Sequence, residues 1–221
     1  MPVTCFDVAR SLHNCPVILA AICTLLLASC EPRPSAGGPQ ASVRTTQANA
    51  EGSSEFITAL TLEGDRVPIF AIPNSRATVL LFLATECPIS NRYAPELRRL
   101  EEKFGALGIR FWRVYPEGDA SLETIRSHLQ AHGYPPEALR DPKHELVRLS
   151  GVRVTPEAAV FLPGGQLVYH GRIDDRYVAF GRQRPTPTQR DLEVTLEAIL
   201  QKQPIPSAHQ PAIGCYLSES K

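Results

Sequence analysis

The apolar positions fall into short blocks separated by turn-forming residues, and their spacing changes along the chain. Residues 56–62 (FITALTL) and 67–70 (VPIF) flank Glu63-Gly64-Asp65-Arg66, which predicts an opening β-hairpin. After a turn at Asn74-Ser75, residues 78–83 (TVLLFL) are almost continuously apolar, as in a central strand covered on both faces. Residues 91–104 then carry Tyr93, Leu97, Leu100 and Phe104 at helical spacing, and Pro95 inside that pattern predicts a kink. Residues 109–115 (IRFWRVY) alternate in part and predict a strand parallel to the first. Ser121 is placed to cap a helix over 121–132 that Gly133 ends, and a shorter helix over 141–150 stops at Gly151. Residues 158–162 and 167–171 read as strands joined at Pro163-Gly164-Gly165-Gln166, and the short connection predicts an antiparallel pair. A connection of mixed polarity over 172–187 leads to a last amphipathic helix over 189–203. Strand, helix, strand, helix implies right-handed crossovers and a parallel sheet centre, which the closing hairpin makes mixed. The reading is an α/β domain over 55–203, with no internal repeat and no second domain.

The two ends read differently. Residues 16–29 (PVILAAICTLLLAS) are too short for a comfortable membrane span but suit the apolar stretch of a signal peptide over 1–29. Leu27-Ala28-Ser29-Cys30 resembles a bacterial lipobox, which implies cleavage before Cys30 and lipidation of its thiol. Arg10 is the one plain cation before the apolar run and Asp7 offsets it, so an uncleaved anchor or a start codon placed too far upstream are the alternatives. Residues 30–54 are rich in Pro, Ala, Gly, Ser and Thr and read as a flexible tether. Residues 204–221 read as a proline-rich tail carrying Cys215.

Charge excludes one class of partner. Lys plus Arg and Asp plus Glu both number 23, so no net basic charge exists to drive nucleic-acid binding. Of the 6 cysteines, Cys5, Cys15, Cys23 and Cys30 lie in the expected leader or at its end. If cleavage and lipidation occur, Cys87 and Cys215 alone remain as thiols, and one internal disulfide is possible.

Cys87 falls between the end of a buried strand and the start of a helix. Unpaired N–H groups and the positive end of the helix dipole favour an anion there, and can lower a cysteine pKa from about 8.5 to about 7 or below. The plain alternative is a small apolar residue of the core. The strand-Cys-x-x-Ser-helix arrangement, with Ser90 where a second cysteine usually stands, favours the reactive reading.

The element order, with a cysteine after the first central strand, resembles the thioredoxin superfamily. Within it, Phe82-Leu83-Ala84-Thr85-Glu86-Cys87 followed by Ala94-Pro95-Glu96-Leu97 is similar to the membrane-tethered redoxin branch, the alkyl hydroperoxide reductase/thiol-specific antioxidant type. The resemblance implies a thioredoxin-like fold and a cis-proline facing the thiol, which falls at Thr155-Pro156. The backbone of Thr155 would then be free to pair with an extended substrate. Three departures stand out. Ser90 replaces the resolving cysteine, Ala84 stands where a peroxidatic site needs a hydroxyl, and Glu86 replaces a tryptophan, where a carboxylate pointing inward would oppose the thiolate.

The resulting expectation is an exported, membrane-anchored thiol oxidoreductase of the bacterial envelope. Cys87 is the nucleophile, Ser90 supports its charge, Thr155 and Pro156 shape the substrate groove, and Cys215 resolves the intermediate from a mobile tail. Cys215 as an unpaired or structural thiol is the alternative. The expected partners are a protein disulfide or a peroxide, a thiol reductant and, through Cys30, a membrane surface. No cofactor is expected, and no histidine spacing matches a metal motif; His128, His132, His144, His170 and His209 read mostly as surface residues. The rival reading is a non-catalytic binding or copper- or haem-delivery module on the same fold. The redox reading requires Cys87 to be reachable from solvent and to lie across from Thr155-Pro156.

Overall fold

A computed structural model of the chain describes residues 57–217. The expected signal peptide, Cys30 and the tether lie outside the described residues. Strands β1 (Thr58–Thr61) and β2 (Arg66–Pro68) form the opening hairpin, and β3 (Ala77–Phe82) follows with every residue buried. Helix α1 (Pro88–Gly105) leads to β4 (Ile109–Tyr115), which is parallel to β3. Helix α2 (Leu122–Ala131), strand β5 (Ala138–Arg140) and helix α3 (Glu145–Ser150) come next. Strands β6 (Val154–Thr155), β7 (Glu157–Phe161) and β8 (Leu167–Gly171) precede a small hairpin of β9 (Tyr177–Ala179) and β10 (Arg182–Gln183). Helix α4 (Asp191–Gln201) is followed by β11 (His209–Gln210) and β12 (Cys215–Tyr216).

The main sheet has 8 strands in the order β11-β8-β7-β3-β4-β5-β1-β2. β3, β4 and β5 run parallel, while β7 is antiparallel to β3 and to β8, as the order of the elements predicts. Side chains alternate across β3, so Val79 and Leu81 pack with the α1 face while Leu80 and Phe82 join the core on the other side. Helix α1 contributes Ile89, Tyr93, Leu97, Leu100 and Phe104, spaced three and four apart, to the first of these cores. The helix runs on through Pro95. It starts at Pro88, earlier than the apolar spacing alone suggests, because proline is tolerated in a first turn whose N–H groups have no partner within the helix. Its polar face meets α4 through Glu193, which accepts from Arg99 and Lys103, and through Glu96, which accepts from Arg190.

Ser121 caps α2 by accepting from the Thr124 N–H, and Gly151 ends α3 in the left-handed conformation, both as predicted. Asp141 holds the start of α3 by accepting from the Glu145 and Val147 N–H groups. Three elements escape the apolar pattern. Strand β5 spans 3 residues and follows Pro135-Pro136, and the β9–β10 hairpin is shorter than any period can reveal.

The third is the segment after α4, which the prolines suggest is a mobile tail. Residues 204–217 instead lie on the domain. β11 adds to the edge of the main sheet parallel to β8, and β12 pairs antiparallel with β6. Proline stops a helix without preventing an extended segment from pairing through its other residues. The docking depends on Gly171, whose φ of +145° is rare for other residues and whose Cβ, if present, would overlap the Gln210 backbone.

Gly171→Ala is therefore expected to expel β11. The His170 and Arg172 amides, which donate to Ala208 and Gln210, should exchange with deuterium faster while the β3 amides stay protected. Unchanged exchange at His170 and Arg172 would show that the edge tolerates a Cβ.

Candidate active site

Strand β3 delivers the chain to Leu83, whose N–H donates to the Val114 carbonyl, and the next residues leave the sheet. The Cys87 N–H donates to Ala84, and Cys87 sits at the N-cap of α1 in an extended conformation, φ −79° and ψ 111°. Its side chain adds no capping bond to the helix, so the sulfur is left to other partners. One is across the fold. The Thr155-Pro156 peptide is cis, and the Thr155 carbonyl accepts from the Cys87 thiol at 3.1 Å. The expected juxtaposition of thiol and prolyl turn is present.

The expected open groove is not. Strand β12 already occupies the backbone of β6, with Cys215 opposite Thr155 and Tyr216 opposite Val154. The Leu217 N–H extends the pairing by donating to Arg153. Gly214 makes the approach possible, since a Cβ there would overlap the Thr155 carbonyl. Cys87 is consequently only 2% exposed, which corrects the expectation of a solvent-reachable thiol. What reaches it is Cys215, half-buried and packed against the same core with Ile213. Both thiols are free.

Opposing effects act on the Cys87 sulfur. Burial, the largest, raises its pKa, but a hydrogen bond from the Cys215 thiol and donors from the Ser90 backbone and hydroxyl more than offset it, and the net shift is downward. Ser90 is buried and its Oγ has no other protein partner, which leaves it available to the sulfur. The Thr155 carbonyl works the other way, because it accepts only from the protonated thiol. Cys215 moves in the opposite direction, up to about 12, through burial first and then through donating to Cys87 and lying beside its charge. Of the two thiols, Cys87 is therefore the easier to ionise. Glu86 is exposed and takes no part, so the inward carboxylate considered from the sequence is absent.

Residues outside the motif hold the loop. Glu117, after β4, accepts from the Thr85 N–H at 2.9 and 3.1 Å and from its hydroxyl at 3.1 Å. Asn91 donates to the Thr85 carbonyl and accepts through Oδ1 from His128 Nε2 at 2.7 Å, which fixes the imidazole tautomer. Nδ1 is then left to accept from the Tyr115 hydroxyl at 2.8 Å. His128 is 8% exposed, which corrects its reading as a surface residue, and burial with His132 nearby lowers its pKa from 6.5 to about 4. Spacing in the chain carries no sign of this network, since its members come from α1, β4 and α2. His144 is also buried and its Nε2 meets the Pro116 carbonyl, whereas His170 and His209 meet on the far side of β6, away from Cys87.

The sequence profile described as the AhpC/TSA family matches residues 54–170. No curated protein matches the chain. Among solved structures, an uncharacterized conserved protein from Geobacillus kaustophilus is 24% identical, with a TM-score of 0.63 over 74% of this chain and 88% of that one. A hypothetical protein from Sinorhizobium meliloti 1021 is 21% identical, with a TM-score of 0.61 over 72% and 88% of the two chains. These likenesses support the thioredoxin-like fold.

Two outcomes follow from the site. Gly214→Ala should lift β12 and raise the rate of Cys87 alkylation by iodoacetamide roughly tenfold, equivalent to about 1.4 kcal/mol less protection. An unchanged rate would mean that the C-terminal strand is not what shields the sulfur. For His128, the folded pKa lies below the unfolded one, so its contribution is complete above pH 6.5 and lost as pH falls toward about 4. His128 by itself should lower the unfolding free energy by about 3 kcal/mol across that window, read as the difference between the wild type and His128→Gln. His128→Gln should flatten the drop in urea titrations at the two pH values.

Proposed function

The chain belongs to the AhpC/TSA family, and from that we propose that it is a thiol oxidoreductase whose redox pair is Cys87 and Cys215. The observation that carries the reading is geometric: β12 sets Cys215 opposite Thr155, whose carbonyl accepts from the Cys87 thiol, so the two free thiols pack together, and their opposite pKa shifts agree with that contact. Ser90 cannot close a Cys-x-x-Cys disulfide, and Cys215 takes that part from the far end of the chain.

The closed arrangement does not meet the condition that Cys87 be reachable from solvent, so the cycle has to start with β12 leaving β6. Few backbone bonds hold this strand, so opening it costs much less than unfolding the domain. An extended substrate then pairs with Thr155 in its place, beside Pro156. The Cys87 thiolate attacks one sulfur of the substrate disulfide, forming a Cys87–substrate bond, while the other substrate sulfur leaves and takes up a proton. Cys87 in the mixed disulfide carries no charge, so when β12 returns Cys215 meets neither the hydrogen bond to the thiolate nor its charge, the two Cys87 effects that raise its pKa in the closed arrangement. The Cys215 thiolate attacks the Cys87 sulfur, the mixed disulfide breaks and the second substrate thiol departs. The substrate has gained two electrons and two protons, and the protein holds a Cys87–Cys215 disulfide that a dithiol reductant must reopen. The same pair balances peroxide reduction, where Cys87 sulfenate condenses with Cys215 and releases water. Ala84 offers no hydroxyl to orient a peroxide, which favours the disulfide substrate.

Placement in the envelope is part of the proposal and rests on the leader and on Cys30, with acyl chains holding the mature protein at a membrane surface. Mass spectrometry of the mature N-terminus checks it, and an unmodified Cys30 would remove the anchor.

For the redox pair, Cys215→Ser incubated with oxidised glutathione should accumulate a mixed disulfide at Cys87, Cys87→Ser should accumulate none at that position, and the wild type should pass on to an internal disulfide. Failure of Cys215→Ser to trap the mixed disulfide would reject the enzyme reading in favour of a binding module.

A further inference from the structure

On the other side of β6 from Cys87 lies a cleft of about 500 Å³ lined by Gly151, Arg153, Glu157, His170, His209 and Tyr216, among others. A larger concavity, about 660 Å³, sits between residues 72–75 and 105–111 and has no cysteine or histidine in its lining. The smaller cleft contains an unusual donor set. Glu157 is 4% exposed, and its Oε2 is satisfied by the Arg153 and Val154 N–H groups at 2.8 and 3.2 Å. Its Oε1 has only His170 Nδ1 nearby, at 3.6 Å, too long for a hydrogen bond. That Nδ1 is itself buried without a partner. His209 stacks on His170 with ring centroids 4.2 Å apart, and its Nδ1–H donates to the His170 carbonyl at 3.1 Å. This bond leaves the His209 Nε2 lone pair free, the second-shell arrangement that prepares an imidazole to ligate.

We propose that Glu157, His170 and His209 form a binding site for a divalent transition metal of the zinc type. One ligand atom from each residue falls within 4.8 Å of the other two, and an ion about 2.1 Å from each needs only small side-chain rotations to draw them together. Two imidazoles and one carboxylate suit a borderline ion such as Zn²⁺ or Co²⁺, and the open cleft leaves a coordination position for water. The bound ion gives the unpartnered Oε1 and Nδ1 a common partner. Arg153 at the cleft opposes a bare cation and suits an ion that carries an anionic fourth ligand.

The ligands come from β7, β8 and the C-terminal segment, so the ion staples that segment to the sheet. His209 is the ligand that docks with β11, and β12 with Cys215 follows in the same segment. Metal occupancy thereby favours the arrangement in which Cys215 covers Cys87. The site itself uses no thiol and stands or falls separately from the redox pair.

Calorimetric titration of the metal-free full-length protein carrying Cys87→Ser and Cys215→Ser, with the thiols of the leader alkylated, using Zn²⁺ and then Co²⁺, tests the site. His209→Ala, a change at an exposed side chain, should weaken one binding event by at least roughly tenfold, as loss of one of three ligands implies. Glu157→Gln should do the same, and Zn²⁺ should slow deuterium exchange at the His170 and Arg172 amides. Zinc binding of equal strength in His209→Ala and the parent, or no binding by either, overturns the proposal.

Discussion

The interaction on which the site depends is a short antiparallel pairing between the ends of two distant segments, Val154-Thr155 and Cys215-Tyr216. It sets one cysteine over another without any help from sequence neighbourhood. Two close approaches make it possible, at Gly171 and Gly214, where a methyl group would collide with the facing backbone. Because the strand is only 2 residues long and pairs outside the eight-stranded sheet, its hold is local. The protein thus carries its own occupant for the groove in which a substrate would lie.

That occupant also explains how a buried sulfur can be easier to ionise than an ordinary thiol. Burial alone disfavours a thiolate, and a core cysteine with no donors would be inert. Here the helix start brings Ser90, and the C-terminal strand brings a second thiol whose proton turns toward the first. The two cysteines shift in opposite directions: on Cys215 burial leads and the contact with Cys87 adds to it, whereas on Cys87 the Cys215 thiol and the Ser90 donors outweigh burial.

The segment from Gly151 to Glu157 is the hinge between two environments. One side offers the Thr155 carbonyl to Cys87. The other is held by Glu157, which receives the Arg153 and Val154 N–H groups and faces the histidine cleft. The C-terminal segment touches both, first through His209 and then through Cys215. Anything that tightens its grip at the sheet edge also changes access to the sulfur.

Elements governed by local pattern were legible in the sequence: the opening hairpin, the apolar β3, the amphipathic α1, the Ser121 cap, the Gly151 stop and the β7–β8 hairpin. Each arises from side-chain periodicity or from a residue suited to one backbone geometry, and both are written in consecutive residues. The placement of Cys87 before a helix and opposite Thr155-Pro156 was legible for the same reason, with the family pattern adding the second half. Tertiary structure alone decided that Cys87 is covered, that residues 204–217 are folded, that Glu117, Asn91 and His128 brace the loop, and that Glu157, His170 and His209 meet. Those facts depend on backbone pairing and on contacts between residues far apart in the chain. Backbone hydrogen bonds are common to nearly every residue type, so a two-residue strand leaves no mark in the order of the side chains.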